Sequence, residues 1–330
     1  MRFFLLSILI LTAIVIAGSF VFDKIYQFPH RIKYGVSFAP RYASYLKLDW
    51  QKTYLRLLDE AKIKHLRLST YWDLLEPKSG EYDFSQTDFM LNEADKRDAK
   101  VILVVGMRQP RWPECQVPLW AKNLSILERR QKLLSFIGKT VERYKDQKSL
   151  AIWQVENEPL LPFFGEGCDR VDAEFLKTEV ALVRSLSNKP IMVSDSGELG
   201  TWVVPMQLSD VFGSTLYRDV YNPWLGYLTY PVPPYLYNIH SELVRKIFAP
   251  HNKRSIIVEL QAEPWLSNGD LSQDSAEQAR LFPLGKMQSY INYAKKTGFD
   301  EVYLWGVEWW YFMAESGHPE YLEYAKSLFR

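Results

Sequence analysis

The sequence predicts an α/β protein of the (β/α)8, or TIM, barrel type, and three observations support that fold class. Short apolar runs rich in β-branched residues recur eight times, and periodic apolar–polar stretches follow them. Eight such units in about 300 residues fit a closed barrel. No G-x-G-x-x-G loop follows any of the runs, which disfavours an open doubly wound sheet.

The units can be read in order along the chain. The predicted strands are residues 34–38, 65–69, 101–105, 151–155, 191–194, 211–215, 255–258 and 302–305. The clearest helical patterns are residues 48–62, 88–97, 126–144, 173–187, 236–249 and 276–296, and weaker ones lie near 198–208 and 319–329. No repeat or linker divides this region, so we predict one catalytic domain over residues 34–330.

An apolar segment precedes the barrel. Residues 3–22 carry no charge, and about 20 apolar residues are enough to cross a bilayer. We therefore predict an uncleaved transmembrane helix over residues 1–22 and a tether over 23–33; a signal peptide cleaved near Ala17-Gly18-Ser19 is the alternative. Arg2 on the short side predicts a barrel outside the cytoplasm, although Lys24 opposes this orientation.

Composition excludes several classes of function. The formal net charge is +1, so there is no electrostatic signature of nucleic-acid binding. The five histidines show neither H-x-H nor H-E-x-x-H spacing, which argues against a metal site. We expect a monomer that uses no cofactor and whose partners are a carbohydrate and, through the N-terminal helix, the membrane.

The carbohydrate expectation comes from the strand ends, where a barrel of this type carries its functional groups. Glu158 follows the fourth predicted strand, and Glu259 follows the seventh. Although they are far apart in sequence, a barrel brings both to one mouth. Two facing carboxyl groups are what glycoside hydrolysis requires, one as proton donor and one as nucleophile or base.

The same residues carry a family resemblance. The triplet Asn157-Glu158-Pro159 after strand four, with Glu259 after strand seven, resembles the clan A glycoside hydrolases, which are retaining enzymes on (β/α)8 barrels and include cellulase-like and β-galactosidase-like families. Trp72 to Phe84, with its Glu-Pro and Gly-Glu-Tyr-Asp-Phe elements, resembles the segment after the second strand of that clan. Arg67, Tyr217 and Trp305 match positions on strands two, six and eight.

The resemblance implies a role for each matched residue. Glu158 would be the general acid/base, and Glu259 the nucleophile. Arg67 and Tyr217 would hold the nucleophile ionised. Asn157 would bind the sugar 2-hydroxyl, a contact that strengthens in the transition state. Trp305 would form the floor of the sugar site, and Trp72 is expected to contact substrate as well.

Several alternatives stay open at this stage. Glu263, in the triplet Glu263-Pro264-Trp265, is a rival nucleophile, and Glu156 is interpreted as a supporting acid. Cys115 and Cys168 fall in neighbouring loops after strands three and four, where they could form one disulfide at the rim. The aromatic stretch 217–237 is expected to build subsites. A non-catalytic carbohydrate sensor and a transglycosylase remain alternatives to a hydrolase acting on a β-linked oligo- or polysaccharide.

Overall fold

Eight parallel strands close into a barrel in the computed structural model, which describes residues 31–111, 113–162, 165, 168–169, 171–222, 224–267, 269 and 274–329. The barrel strands are β1 (Lys33–Phe38), β2 (His65–Ser69), β3 (Lys100–Val105), β4 (Leu150–Val155), β5 (Ile191–Asp195), β6 (Val211–Leu216), β9 (Arg254–Gln261) and β10 (Glu301–Trp305). Their order around the barrel is β1-β10-β9-β6-β5-β4-β3-β2. The predicted barrel and all eight predicted strands are confirmed.

A small hairpin forms a second sheet outside the barrel. It consists of β7 (Asp219–Asn222) and β8 (Gly226–Thr229), which pair antiparallel. The Asn222 side chain accepts hydrogen bonds from the backbone N–H groups of Trp224 (2.9 Å) and Leu225 (3.1 Å). Gly226 closes the turn at φ 73°, a conformation that glycine adopts without steric cost. The hairpin lies inside the stretch that the sequence predicted only as a long aromatic loop.

Helices follow the strands. They are α1 (Pro40–Tyr45), α2 (Trp50–Asp59), α3 (Trp72–Leu75), α4 (Ser85–Asp95), α5 (Ile126–Tyr144), α6 (Ala173–Leu186), α7 (Val203–Leu208), α8 (Tyr235–Phe248), α9 (Ser275–Leu281), α10 (Leu284–Lys295), α11 (Val307–Glu315) and α12 (Glu320–Leu328). A short 3-10 helix spans Leu119–Ala121. Helix α5 begins with a capping box, in which Ser125 and Glu128 satisfy each other's backbone N–H.

The single helix predicted over residues 276–296 is wrong, because the chain forms two helices there. Helix α9 ends at Leu281, Phe282 adopts φ −130° and ψ 67°, and α10 begins after Pro283. Proline lacks a backbone N–H and restricts the residue before it, so the helical pattern breaks at this dipeptide.

The barrel strands separate an inner from an outer apolar layer. Leu66, Leu68, Trp153 and Val155 point outward to the large core beneath the helices. Ile102, Ile152, Met192, Val211, Ile256, Val258 and Tyr303 form the inner cluster. Arg67 and Gln154 follow the inward alternation of their strands and are buried. The barrel interior is therefore apolar at one level and polar at the next, toward the carboxyl ends of the strands.

The predicted membrane segment lies outside the described residues, which begin at Arg31. Within the described residues, no helix has the length and apolar character needed to cross a membrane.

Candidate active site

The polar layer centres on Arg67, which lies in the middle of β2 and is 1% exposed. Its guanidinium donates from Nη1 to Glu259 Oε1 (2.6 Å) and from Nη2 to Asn157 Oδ1 (2.6 Å). Nε donates to Gln154 Oε1 at 2.7 Å. One buried cation therefore joins strands β2, β4 and β9, and its planar fork orients a carboxylate and an amide at the same time.

Glu259 reaches this cation because β9 is irregular. The pairing of β9 shifts register against both neighbours, so that Ser214 faces Ile257 while the adjacent Thr215 faces Glu259, and a shift also occurs against β10. Val258 points into the inner cluster, yet Glu259 also points inward, toward Arg67. Strict alternation would send one of two consecutive side chains outward. A β-bulge restores the inward direction, as bulges beside active sites often do.

A second donor fixes the other oxygen of Glu259. The Tyr217 hydroxyl donates to Glu259 Oε2 at 2.8 Å. Burial, together with the Glu259 charge, holds the pKa of Tyr217 well above its usual value, so the phenol keeps its proton. Both oxygens of Glu259 are thus hydrogen-bonded, one to the Arg67 guanidinium and the other to the Tyr217 phenol.

Glu158 has the opposite environment. Its side chain is 6% exposed, and Oε1 accepts one neutral hydrogen bond, from the Thr215 hydroxyl at 3.1 Å. Burial, and then the charges of Glu259 and Glu114, raise the pKa of Glu158 well above its usual value. The site thus holds two carboxyl groups in different surroundings: Glu259 is paired with a cation, whereas Glu158 accepts a hydrogen bond from a neutral hydroxyl and has a raised pKa.

The rival carboxylate, Glu263, belongs to a different cluster. It is ion-paired with Arg111, whose Nη2 lies 3.1 Å from Glu263 Oε2, and it accepts the Trp305 indole N–H at 2.9 Å. Arg111 also contacts Glu308 at 3.2 Å. Its guanidinium carbon lies 3.7 Å from the ring centre of Tyr42 and 4.3 Å from that of Trp305. Glu263 is therefore held by a cation that spans the mouth between aromatic rings.

The candidate site is enclosed. Glu259 is 3% exposed. A small cleft of about 210 Å³ is lined by its partner Arg67 and by Arg111, Trp305 and Glu308 among others. Arg111 reaches this cleft from the loop after β3, three strands away from β10 around the barrel. That loop therefore covers part of the mouth.

Trp72 is the predicted site residue that the structure does not bring to this cluster. Its indole is fully buried, lies against Trp120 and Phe136, and donates to Glu76 at 2.7 Å. The interpretation of Trp72 as a substrate contact is therefore corrected to a packing role, because its ring and its only polar atom are already engaged beneath the loop. The other predicted residues, Glu158, Glu259, Arg67, Asn157, Tyr217 and Trp305, lie at the mouth.

Sequence reasoning missed several residues of the site. Gln154 carried a usable signal, since it is a polar residue at an inward position of an apolar strand. Thr215 and Ser194 are the penultimate residues of β6 and β5, and Ser194 accepts the Glu158 backbone N–H at 3.1 Å. Arg111 gave no local signal, because its partners come from three other segments of the chain.

Cys115 and Cys168 form a disulfide, with Cα atoms 5.4 Å apart. The sequence had left their pairing open. The bond ties the loop after β3 to the loop after β4, beside the strand ends that carry Arg111 and Glu158. Within the described part of the chain, no cluster of His, Cys, Asp and Glu could hold a metal ion.

Parts of the chain are similar in sequence to β-galactosidases. The glycoside hydrolase family 42 profile, described as β-galactosidase, matches residues 44–120. A β-galactosidase (LacZ) of Lactobacillus acidophilus is 27% identical over 207 residues, which cover 56% of this chain and 30% of that protein. A β-galactosidase of an Arthrobacter species is 31% identical over 134 residues, or 34% of this chain and 19% of that protein. The matched regions are thus less than a third of either relative's length.

Solved structures share the fold. The β-galactosidase of the psychrophilic Marinomonas ef1 superposes with a TM-score of 0.55 at 16% identity, over 83% of this chain and 54% of that one. A family 5 glycoside hydrolase of Bifidobacterium longum, solved with Manβ1-4GlcNAc, gives 0.57 at 12% identity, over 83% and 69%. These structures confirm the barrel fold, and together with the β-galactosidase sequence matches they confirm the predicted resemblance to the clan A (β/α)8-barrel glycosidases.

Proposed function

From its likeness to the (β/α)8-barrel glycosidases, we propose that the protein is a retaining O-glycoside hydrolase acting on a β-linked oligo- or polysaccharide. One observation carries the proposal: Arg67 binds Glu259 at 2.6 Å, while the Glu259 charge helps to raise the pKa of Glu158. A proton donor and an ionised nucleophile thus belong to one electrostatic unit. Because the curated relatives are named β-galactosidases, β-galactosides are the first substrates to test.

In the first step, Glu158 gives its proton to the glycosidic oxygen as the bond from that oxygen to the anomeric carbon breaks. Glu259 attacks the anomeric carbon and forms a covalent glycosyl-enzyme. In the second step, the Glu158 carboxylate takes a proton from a water molecule, which displaces Glu259 and regenerates both groups. Asn157, held by Arg67, is available to bind the 2-hydroxyl.

Glu259 is preferred to Glu263 as the nucleophile because of what binds each carboxylate. Glu259 accepts one bond from Arg67 and one from Tyr217, and its charge acts on Glu158. Glu263 instead faces Arg111 and the Trp305 indole. Trp305 would then form the floor of the sugar site, and its hydrogen bond to Glu263 would fix the orientation of the indole ring.

The experiment is a panel of aryl β-glycosides assayed with the full chain and with Glu158→Gln, Glu259→Gln and Glu263→Gln. Removing the acid should lower kcat by about 10²- to 10⁴-fold, and removing the nucleophile should abolish turnover. Glu263→Gln is the matched control and should keep the covalent intermediate. NMR of the first product should show the β-anomer.

Other outcomes would reassign the protein. Full activity in Glu259→Gln with loss in Glu263→Gln would exchange the two roles. Glycan binding without hydrolysis of any panel member would support the sensor alternative, and transfer to a sugar acceptor in preference to water would support a transglycosylase. Release of the α-anomer would contradict retention.

We also propose the predicted placement of the barrel: outside the cytoplasm, as a monomer, held by residues 1–22 through the tether 23–33. The uncharged stretch 3–22 supports this proposal. Membrane fractionation of the full chain tests it, because a soluble, shortened product would show that the segment is cleaved. The exposed hairpin tip, with Trp224 93% and Leu225 71% exposed, supports the expectation that stretch 217–237 offers further sugar contacts.

A further inference from the structure

Glu179, in the middle of α6, is a buried acid that the proposed reaction does not use. Its side chain is 0% exposed, and neither of its oxygens receives a hydrogen bond from any donor in the described residues. Its hydrogen-bonding neighbour is another fully buried carboxyl group, that of Glu156. Two carboxylates are both acceptors, so a hydrogen bond between them requires one to carry a proton.

The donors around the pair decide which acid holds that proton. Glu156 Oε1 accepts the N–H of Met107 at 2.7 Å, and Oε2 accepts the N–H of Arg108 at 2.6 Å. These bonds favour the ionised form of Glu156, whereas Glu179 has no equivalent donors. The charged groups that also face Glu179 are Arg130 of α5 and Asp172 at the start of α6, which pair with each other at 2.8 Å.

Burial, reinforced by the Glu156 charge, raises the pKa of Glu179 well above its usual value, and burial raises that of Glu156 to about 7. The higher proton affinity of Glu179 agrees with the hydrogen bonds, because two backbone N–H groups donate to Glu156 and none in the described residues donates to Glu179. Glu179 is therefore the protonated member, and its O–H donates to Glu156.

The Glu156 carboxylate in turn holds the start of the loop after β3. Besides its two N–H bonds, it lies so close to Gly106 that a Cβ atom there would be 2.4 Å from Glu156 Oε1. Arg108 extends from this anchor back to the loop after β4, where its guanidinium donates to the carbonyl of Glu158 at 2.9 Å. The N–H of Asn157 donates to the Arg108 carbonyl at 2.9 Å. The loops after β3 and β4 are therefore hydrogen-bonded to each other through Glu156 and Arg108.

The loop after β4 needs such support. Glu156 has φ 59° and Glu158 has φ 43°, both in the left-handed region that non-glycine residues rarely adopt. A residue in this region is strained and persists only where its surroundings impose the conformation. Without the anchor at Glu156, the backbone that presents Asn157 and Glu158 to the mouth would be free to relax.

We propose that Glu179 is a positioning residue: a protonated carboxylic acid that donates to the Glu156 carboxylate and so fixes the loop bearing Asn157 and Glu158. Its effect on turnover rests on the proposed function, but the shared proton and the loop anchor do not. No group of the substrate needs to touch Glu179, because it acts through Glu156 and Arg108.

The test compares Glu179→Gln with Glu179→Leu in the full chain. The glutamine amide is neutral and can still donate to Glu156, whereas leucine has a comparable size and no donor. Hydrogen exchange should show the Met107 and Arg108 amides as protected in Glu179→Gln as in the wild type, and unprotected in Glu179→Leu. We expect kcat to be retained in the glutamine variant and to fall about 100-fold in the leucine variant, the cost of misplacing a catalytic group by roughly 1 Å.

A spectroscopic measurement tests the proton itself. Infrared spectra of the wild type at neutral pH should contain the carbonyl band of a buried protonated carboxylic acid, and Glu179→Gln should lose intensity there. The proposal is overturned if that variant leaves the band unchanged, or if Glu179→Leu keeps wild-type exchange protection at both amides. These two readouts need no substrate, so they remain decisive even if no glycoside is hydrolysed, and the infrared comparison remains so if the leucine variant does not fold.

Discussion

At the residue scale, a few buried ions decide what the barrel mouth can do. Arg67 is one cation shared by three strands, and Arg111 is one cation shared by two carboxylates and two rings. Because both side chains are largely buried, removing the partners of either cation would strongly destabilise the folded protein. Single substitutions at these positions are therefore sharp tests of the site.

Arg67→Met is expected to lower both stability and activity. It leaves the Glu259 carboxylate buried without its cation, and breaking a buried pair in this way costs about 3–5 kcal/mol. Urea unfolding measures the loss. Adding Glu259→Gln to Arg67→Met removes the unpaired carboxylate and should restore part of the free energy of unfolding. If none is restored, Arg67 stabilises the protein through its other hydrogen bonds.

Arg111→Lys distinguishes the contribution of the positive charge at this position from that of the planar guanidinium. Lysine keeps the positive charge for Glu263 and Glu308 but lacks the planar fork that stacks between Tyr42 and Trp305. We expect a loss of about 1–2 kcal/mol, the scale of desolvated cation–π contacts, measured as a lower Tm. Tyr42→Leu in the same background should then add little, whereas an equal Tm for Arg111→Lys and the wild type would show that stacking contributes nothing.

At the element scale, the candidate site is shared between the barrel strands, which carry Arg67 and Glu259, and the loops that follow them, which carry Glu158 and Arg111. The bulge in β9 turns Glu259 inward, and the loops after β3 and β4 are joined by Arg108 and by the disulfide between Cys115 and Cys168. Because these loops lie at the mouth, the rigidity with which they are held determines the position of the Glu158 carboxyl group.

Replacing both cysteines by alanine tests the contribution of this tie. The bond spans a sequence separation of 53, and loss of such a cross-link is expected to destabilise by about 4 kcal/mol through the entropy of the unfolded chain. Thermal unfolding of Cys115→Ala/Cys168→Ala should match that of the reduced wild type. A reduced wild type that is as stable as the oxidised one would contradict the prediction.

At the scale of the whole molecule, the barrel buries an unusual number of carboxyl groups. Burial is the main cause that raises the pKa to about 7 for four of them: Glu114, Glu156, Glu198 and Glu308. Burial also raises the pKa values of Glu158 and Glu179 well above the usual value. The folded protein therefore binds protons that the unfolded chain releases.

This difference predicts how stability depends on pH. The ordinary pKa of these groups is 4.5, so their contribution to stability is complete below that pH and is lost as the pH rises toward about 7. Carboxyls with lowered pKa values, such as Asp172, act in the opposite sense below 3.8. We expect the free energy of unfolding to be greatest near pH 4–5. In Glu198→Gln, the free energy of unfolding should fall less steeply between about pH 5 and pH 7. A free energy of unfolding that rises steadily up to about pH 7 would contradict the prediction.

The fold was readable from the sequence because its signals are local. Each strand is a short apolar run, and the placement of Glu158, Glu259 and Arg67 at strand ends follows once the eight runs are arranged as a barrel. The break at Pro283 was also a local signal, but the surrounding periodicity concealed it. Trp72 was misread because the chain around it does not show which surface will cover an indole.

The sequence by itself determined the barrel, the strand ends that carry polar residues and the resemblance to clan A glycosidases. Only the tertiary structure decided that Glu259 rather than Val258 meets Arg67, that Arg111 crosses the mouth, and that Glu179 lies against Glu156. The physical reason is that strand formation depends on neighbours within a few residues. The protonation and direction of a buried group depend instead on donors and charges from elements far away in the chain.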